Sequence, residues 1–192
     1  MKKYYNAIIY LLLLTSCSYN GTFQGLYSYY NKTKNENPGL FIKVNDTMSI
    51  CNLRSDIHPK IYITNANKIK NCLKQSKSAI VYIWKPKCSS KFCTPLEIVE
   101  EKCKLYNIDL FIVAEYYDLE MMSKNYKITR PILGIDTEYY KSNLTEKYLT
   151  NFVNDLTLKK HNNIGNFIHF KNGIYINNFE SFDLLEFMCL KN

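Results

Sequence analysis

An apolar run at residues 79–84, AIVYIW, constrains the fold of this chain more than any other feature. β-branched and aromatic residues dominate it, and no charged residue interrupts it. Such a run is typical of a central strand buried on both faces, because a half-exposed strand alternates polar and apolar residues. The run therefore predicts a sheet that is covered by helices on both sides.

Segments of alternating strand and helix character surround this run. In chain order they are a strand at 60–64, a helix at 65–77, the apolar strand, a helix from Pro95, a strand at 108–115, a helix at 118–126, a strand at 130–136 and a helix at 143–158. This alternation favours parallel strands joined by right-handed crossovers. Two strands around Lys171-Asn172-Gly173 predict an antiparallel closing hairpin, and a short helix is predicted at 181–190. The chain of 192 residues therefore predicts one α/β domain, at 57–192, with a mixed central sheet.

Two further segments are predicted between the N-terminus and this domain. Residues 17–38 are polar and tyrosine-rich without clear periodicity, and we expect them to form a tether. Residues 39–56 read as two short strands across an Asn45-Asp46 turn, which predicts a hairpin extension of the sheet.

The first residues have the pattern of an export signal. Lys2 and Lys3 precede a short apolar run at 7–14, which is far shorter than the ~20 residues that a membrane span needs. The sequence LTSC at 14–17 resembles the lipobox of bacterial lipoproteins. The resemblance implies a signal peptide at 1–16 and acylation of Cys17, which would anchor the chain to a membrane. An ordinary cleaved signal peptide with an incidental cysteine is the alternative.

Export changes how the cysteines are interpreted. Ser18 follows Cys17, and by resemblance to lipoprotein sorting this favours the outer membrane, facing the periplasm, where disulfides persist. Six cysteines remain besides Cys17, and an even number permits pairing without requiring it. Loss of Lys2 and Lys3 with the signal peptide would leave 23 basic and 17 acidic residues. The lysines are spread along the chain, which favours a solvated surface over a nucleic-acid groove.

Cys88 and Cys93 carry the strongest chemical signal. They follow the apolar strand and precede Thr94-Pro95-Leu96-Glu97, which predicts a helix with Thr94 as its N-cap. A helix N-terminus favours negative charge and so can lower the pKa of a nearby thiol. Lys85, Lys87 and Lys91 surround the pair and would act in the same direction.

Residues around this pair resemble membrane-anchored thiol-disulfide oxidoreductases of the thioredoxin superfamily. In "VYIWKPKC", Trp84 and Cys88 match the family's spacing of strand, Trp and first redox Cys, and "YKITRPILGID" is similar to its cis-proline segment. The resemblance implies a thioredoxin-like three-layer sandwich over about residues 57–190, with Pro131 opposite the cysteines and Trp84 and Pro131 contacting substrate. "NFIHFKNGIYI" looks like the family's closing hairpin. Two features depart from the family: four residues separate Cys88 from Cys93 instead of two, and a helical insertion precedes the last strands.

Three functions are consistent with these residues. The first is thiol-disulfide exchange on exported proteins, with Cys88 attacking by family analogy and Cys93 resolving; the helix-start argument alone would reverse these roles. The second is a thioredoxin-fold binding or scaffold module without turnover. The third is copper or zinc handling by the cysteine pair with His58, His161 or His169, although a structural role is the commoner outcome for each histidine.

Other classes of function are less well supported. No Gly-rich phosphate loop is present, no Ser-His-Asp pattern can be defended from spacing, and the local motif of a peroxidase is absent. We expect no cofactor, no resident metal and no nucleic-acid partner.

Overall fold

The computed structural model describes residues 25–90, 93–161 and 163–183. Its strands are β1 (Phe41–Lys43), β2 (Ile61–Thr64), β3 (Ser78–Trp84), β4 (Asp109–Ala114), β5 (Ile132–Ile135), β6 (Phe167–Lys171) and β7 (Ile174–Phe179). Its helices are α1 (Tyr30–Glu36), α2 (Ala66–Leu73), α3 (Leu96–Leu105), α4 (Leu119–Met122) and α5 (Thr145–Thr157), and a 3-10 turn spans Pro38–Leu40.

The described strands form one seven-stranded mixed sheet, in the order β1-β2-β5-β4-β3-β6-β7. Four neighbouring pairs are parallel: β1–β2, β2–β5, β5–β4 and β4–β3. By contrast, β6 runs antiparallel to β3, and β7 runs antiparallel to β6. β3 lies between β4 and β6, and every residue from Ala79 to Trp84 is buried. The predicted burial of this strand on both faces is therefore confirmed.

Helices cover both faces of the sheet. Ile69 of α2 and Phe152 of α5 pack with Val81 and Ile83 on one face, and Val99 of α3 packs with Ile80 and Tyr82 on the other. α5 occupies the predicted insertion between β5 and the closing hairpin β6–β7. The predicted thioredoxin-like α/β class, with three layers around a mixed sheet, is confirmed by this topology.

The predicted N-terminal hairpin does not form. β1 pairs in parallel with β2, and the structure describes no strand between Lys43 and Ile61. The turn itself is present, because the Asn45 side chain accepts hydrogen bonds from the backbone N–H groups of Thr47 and Met48. The turn was thus predicted correctly from local chemistry. The strand before it, β1, pairs with the distant strand β2 instead of with a neighbouring hairpin strand.

Residues 25–38, which we expected to belong to a tether, pack on the domain. Tyr30 is buried and lies in an aromatic cluster with Phe41 and Tyr117. The Ser28 N–H donates to the Asn143 carbonyl, and the Ser28 carbonyl accepts from the N–H of Tyr117. This segment therefore contributes a buried tyrosine to the hydrophobic core, while Tyr27 stays exposed.

The remaining predictions for the chain ends fall outside the described residues. These are the signal peptide, Cys17, the tether before residue 25 and the closing helix beyond Asp183. Within the described part of the chain, no helix combines the length and apolarity that a membrane crossing requires.

A disulfide that the sequence left open joins Cys51 to Cys72, with a Cα–Cα distance of 5.0 Å. It ties the irregular segment after β1 to α2, and Arg130 donates from Nη1 to the Cys51 carbonyl at 2.6 Å. Cys72 lies on the inward face of α2 and is buried. The half-buried Cys51 reaches it from the adjoining loop.

Replacing Cys51 and Cys72 together by alanine is expected to lower the free energy of unfolding by about 3 kcal/mol. The physical reason is that the crosslink, which spans 21 residues, restricts the unfolded chain. Urea denaturation of both proteins measures the difference. A Cys88→Ala/Cys93→Ala variant is the matched control, with a smaller expected loss of about 2 kcal/mol because its bond spans only five residues. Equal stability of wild type and the Cys51/Cys72 variant would contradict the prediction.

Candidate active site

The candidate site lies where β3 leaves the sheet. Cys88 N–H donates to the Lys85 carbonyl at 3.2 Å, and Cys93 N–H donates to the Ser90 carbonyl at 3.0 Å, so each cysteine closes a tight turn. The two turns bring the Cα atoms to 5.8 Å, and the structure joins the sulfurs in a disulfide. Five residues of separation permitted this bond without requiring it, and the turns supply the geometry.

α3 begins one residue later than we predicted. Its N-cap is Pro95 rather than Thr94, and the first helical bond runs from Val99 N–H to the Pro95 carbonyl. Thr94 has another role, since its carbonyl accepts the hydroxyl of Tyr82 at 2.9 Å. Cys93 nevertheless lies two residues before the N-cap, where the positive end of the helix dipole favours negative charge.

An open cleft of about 220 Å³ lies over the cysteine pair. Cys88 and Cys93 line it and are both half-buried, so another molecule can reach the sulfurs. Trp84 forms part of the wall and is only 6% exposed. It packs edge-on against Tyr126, with ring centroids 5.6 Å apart. Trp84 thus lies where we predicted, and its contact with substrate stays a prediction.

Pro131 does not lie opposite the cysteines. It precedes β5, which is separated from β3 by β4, and it lines a different cavity with Ser55 and Pro59. All peptide bonds of the described residues are trans. The strand antiparallel to β3 is β6, so the segment just before β6 faces the cysteines instead.

Asn166, which sequence reasoning missed, holds that position. It lines the cleft, and its carbonyl accepts the N–H of Ile83 at 2.7 Å. The signal that could have found it was the closing hairpin: once β6 is placed beside β3, the residue before Phe167 must face the end of β3. Asn166 therefore lies at the place beside the cysteines where we predicted Pro131.

Glu100 of α3 binds the backbone just before Pro131. Its carboxylate accepts the N–H groups of Thr129 and Arg130 at 2.9 Å each, and the Lys104 ammonium at 2.8 Å. Burial opposes ionisation of Glu100, yet these hydrogen bonds outweigh it and lower its pKa. The 129–130 turn is thus fastened to the helix that follows the cysteines.

The lysines near the cysteines are held by carboxylates. Lys87 Nζ lies 3.0 Å from Asp118 Oδ2, and this hydrogen bond raises the Lys87 pKa. Lys85 Nζ lies 3.8 Å from Glu115 Oε2. Lys91 lies outside the described residues. The expected effect of Lys85 and Lys87 on a thiol is therefore weakened, because each charge is compensated by a carboxylate of opposite sign.

Glu115 gives the site a pH-dependent stability. Burial raises the pKa of its carboxyl, although Lys85 opposes the shift. A carboxyl whose pKa is higher in the folded state binds more protons when folded, so stability falls as pH rises through its titration. Glu115→Gln is therefore expected to unfold at a higher temperature than wild type at pH 7, with the advantage lost towards pH 4. Thermal denaturation at several pH values measures this, and an advantage that is largest at acidic pH would contradict it.

The histidines do not join the cysteine pair. His169 Nε2 lies 3.1 Å from Ser78 Oγ, at the opposite end of β3, and His161 Nε2 lies 2.8 Å from Thr157 Oγ1. Burial lowers the pKa of both. His58 is exposed, and none of the three lines the cleft in the described part of the chain. Among those residues, no group of three or more His, Cys, Asp and Glu side chains is arranged to hold a metal. Among the described residues, no histidine therefore lies beside the cysteine pair as the copper or zinc hypothesis required.

Comparison with known proteins adds little to these observations. No protein-family model matches the chain, and no curated protein matches it. A solved structure of an Entamoeba histolytica thioredoxin, a cysteine-to-serine mutant, is similar over 69% of this chain and 99% of that chain, with 12% identity and a TM-score of 0.35.

Proposed function

We propose that this protein is a thiol-disulfide oxidoreductase of exported proteins, with Cys88 and Cys93 as its redox pair. The observation that carries the proposal is the half-exposed disulfide between them at an open cleft, directly after a buried central strand and before a helix. A disulfide that solvent and substrate can reach is the kind that exchanges, whereas structural disulfides resist reduction.

Thiol trapping across a redox titration of the full chain tests the exchange activity. The protein is equilibrated with glutathione buffers, free thiols are alkylated, and peptides are identified by mass. We expect Cys88 and Cys93 to titrate together as a two-electron couple, at a higher potential than Cys51 and Cys72. The buried Cys72 makes the second disulfide an internal reference. A Cys88–Cys93 pair that stays unreactive at every potential would end the proposal.

Export and lipid anchoring are separate parts of the proposal. Their support is the N-terminal pattern: two lysines, a short apolar run and LTSC ending at Cys17. The intact mass of the protein made in a bacterial host tests them. We expect the mass of a diacylated or triacylated chain beginning at Cys17, and loss of the lipid in Cys17→Ala. An unmodified Cys17 would remove the anchor from the proposal and leave the exchange activity standing.

A second candidate function is a binding module without turnover. Two observations favour it: four residues separate the cysteines, and the nearest described lysines are neutralised by Glu115 and Asp118. The discriminating variant is Cys88→Ser. Loss of biological activity supports exchange, whereas full activity supports binding.

A further inference from the structure

Ser90 lies between the two cysteines and contacts both sulfurs unequally. Its backbone N–H donates to Cys93 Sγ at 3.1 Å. Its hydroxyl oxygen is 3.3 Å from Cys93 Sγ and 3.7 Å from Cys88 Sγ. The Cys93 N–H returns a hydrogen bond to the Ser90 carbonyl, which locks the turn. The N–H of one residue therefore donates to the second sulfur of the pair, and its hydroxyl lies nearer to that sulfur than to the first.

These donors matter more once the disulfide is opened. A hydrogen bond to a charged acceptor is about twice as strong as one between neutral groups, so Ser90 stabilises a thiolate more than a disulfide sulfur. Cys93 also lies closer along the chain to the N-terminus of α3. Of the two sulfurs, that of Cys93 is the better site for the negative charge left when the bond breaks.

The other titratable groups around the cleft do not reverse this preference. Tyr82 and Tyr126 line it, and burial raises the pKa of each to about 12, so both stay neutral at working pH. Lys85 and Lys87 are held in the ion pairs described above. Glu97, in the first turn of α3, accepts a backbone N–H at 3.3 Å and adds a negative charge to the cleft. The serine's contacts and the start of α3 thus both favour negative charge on Cys93 over Cys88.

We propose that Ser90 is a positioning residue that makes Cys93 the leaving thiolate and thereby shifts the pair towards oxidising substrate dithiols. The assignment rests on the proposed exchange function and gives it a direction. A disulfide whose reduced form is stabilised is a stronger oxidant, because stabilising the product raises the reduction potential.

The electrons balance within one turnover. A substrate thiolate attacks Cys88 Sγ, the Cys88–Cys93 bond breaks, and its electron pair goes to Cys93 Sγ, where the Ser90 hydroxyl and N–H stabilise the charge. The second substrate thiolate then attacks the substrate sulfur of the mixed disulfide, and the electron pair of that bond goes to Cys88. The substrate dithiol loses two electrons and two protons, and the protein disulfide becomes a dithiol.

Partition of a monothiol between the two sulfurs tests the assignment. The oxidised full chain is mixed with reduced glutathione, quenched with acid at early times, and digested for mass spectrometry. We expect the glutathione adduct at Cys88 to exceed that at Cys93 by about tenfold. Ser90→Ala, which removes the hydroxyl and keeps the N–H, is expected to reduce this ratio severalfold. Ser89→Ala, in the exposed neighbour, is the matched control and should leave the ratio unchanged.

The following results would contradict the role assigned to Ser90 or the exchange function. An adduct that forms mainly at Cys93, or equally at both, overturns the role of Ser90 and leaves exchange activity intact. A partition that Ser90→Ala does not move also overturns it. Absence of any adduct overturns the exchange function and the assignment together.

A second measurement uses single-cysteine variants, which cannot form the Cys88–Cys93 disulfide. The pH dependence of alkylation gives the thiol pKa of Cys93 in Cys88→Ser and of Cys88 in Cys93→Ser. We expect the Cys93 value to be the lower one and to rise when Ser90→Ala is added. A Cys93 pKa equal to or above that of Cys88 would contradict the proposal.

Discussion

Replacing Cys88 or Cys93 by serine is expected to slow thiol-disulfide exchange by about a thousandfold or more. Each sulfur forms or breaks a covalent bond in the proposed reaction, and a hydroxyl at the same place cannot take its part. Stopped-flow oxidation of a reduced dithiol peptide by the oxidised protein measures the rate. The cleft and fold should persist, because both residues lie in surface turns and contribute no core packing.

The matched control for this result is Cys103→Ala. Cys103 is buried on the inward face of α3, away from the cleft, so its loss should affect stability and leave the exchange rate within about twofold. Exchange that survives in both Cys88→Ser and Cys93→Ser would place the chemistry at another cysteine and end the assignment of this pair.

The second large effect is expected at Gly134 in β5. A Cβ at this position would lie 2.5 Å from Tyr117 Oη and 2.7 Å from Ile63 Cδ1. Tyr117 is fully buried, and its hydroxyl donates to the Ile135 carbonyl at 2.6 Å. Gly134→Ala therefore both overpacks the core and disturbs a buried hydrogen bond. We expect a loss of about 3–5 kcal/mol in the free energy of unfolding, measured by urea denaturation.

A double-mutant cycle identifies the cause of this loss. Tyr117→Phe removes the oxygen that meets the new methyl group, so it should be less harmful in the Gly134→Ala background than in wild type, by about 1 kcal/mol. Gly39→Ala is the matched glycine control, because its Cβ would meet Asn37 Oδ1 at an ordinary 3.7 Å. Additive effects of Gly134→Ala and Tyr117→Phe would show that the close contact with Tyr117 Oη does not cause the loss of stability.

Several elements were predictable because their signals are local. The apolar run of β3 reports burial on both faces, and the periodicity of α5 reports one buried face, with Phe152 and Leu156 inward. The Asn172-Gly173 turn of the closing hairpin needs positive φ at both residues, and both have it. Each of these signals is complete within a few neighbouring residues.

The candidate site was predictable only in part. The position of the cysteines after β3 followed from the sequence, but Pro131 was assigned to a cleft that Asn166 occupies. The reason is the sheet order: β5 lies beyond β4, and only β6 lies beside β3 on the other side. A strand's pattern shows that it is buried and does not show which strand it pairs with.

The sequence alone determined the alternating strands and helices, the buried strand that ends near two cysteines, and the closing hairpin. Only the tertiary structure decided that β1 joins β2 in parallel, that Cys51 bonds Cys72, that Asn166 lines the cleft of the cysteine pair, and that Ser90 contacts Cys93. These two sets of features differ in the distance along the chain over which the determining interactions act. Hydrophobic periodicity and turn chemistry act between near neighbours, whereas strand order and disulfide partners follow from how the whole chain buries its apolar surface.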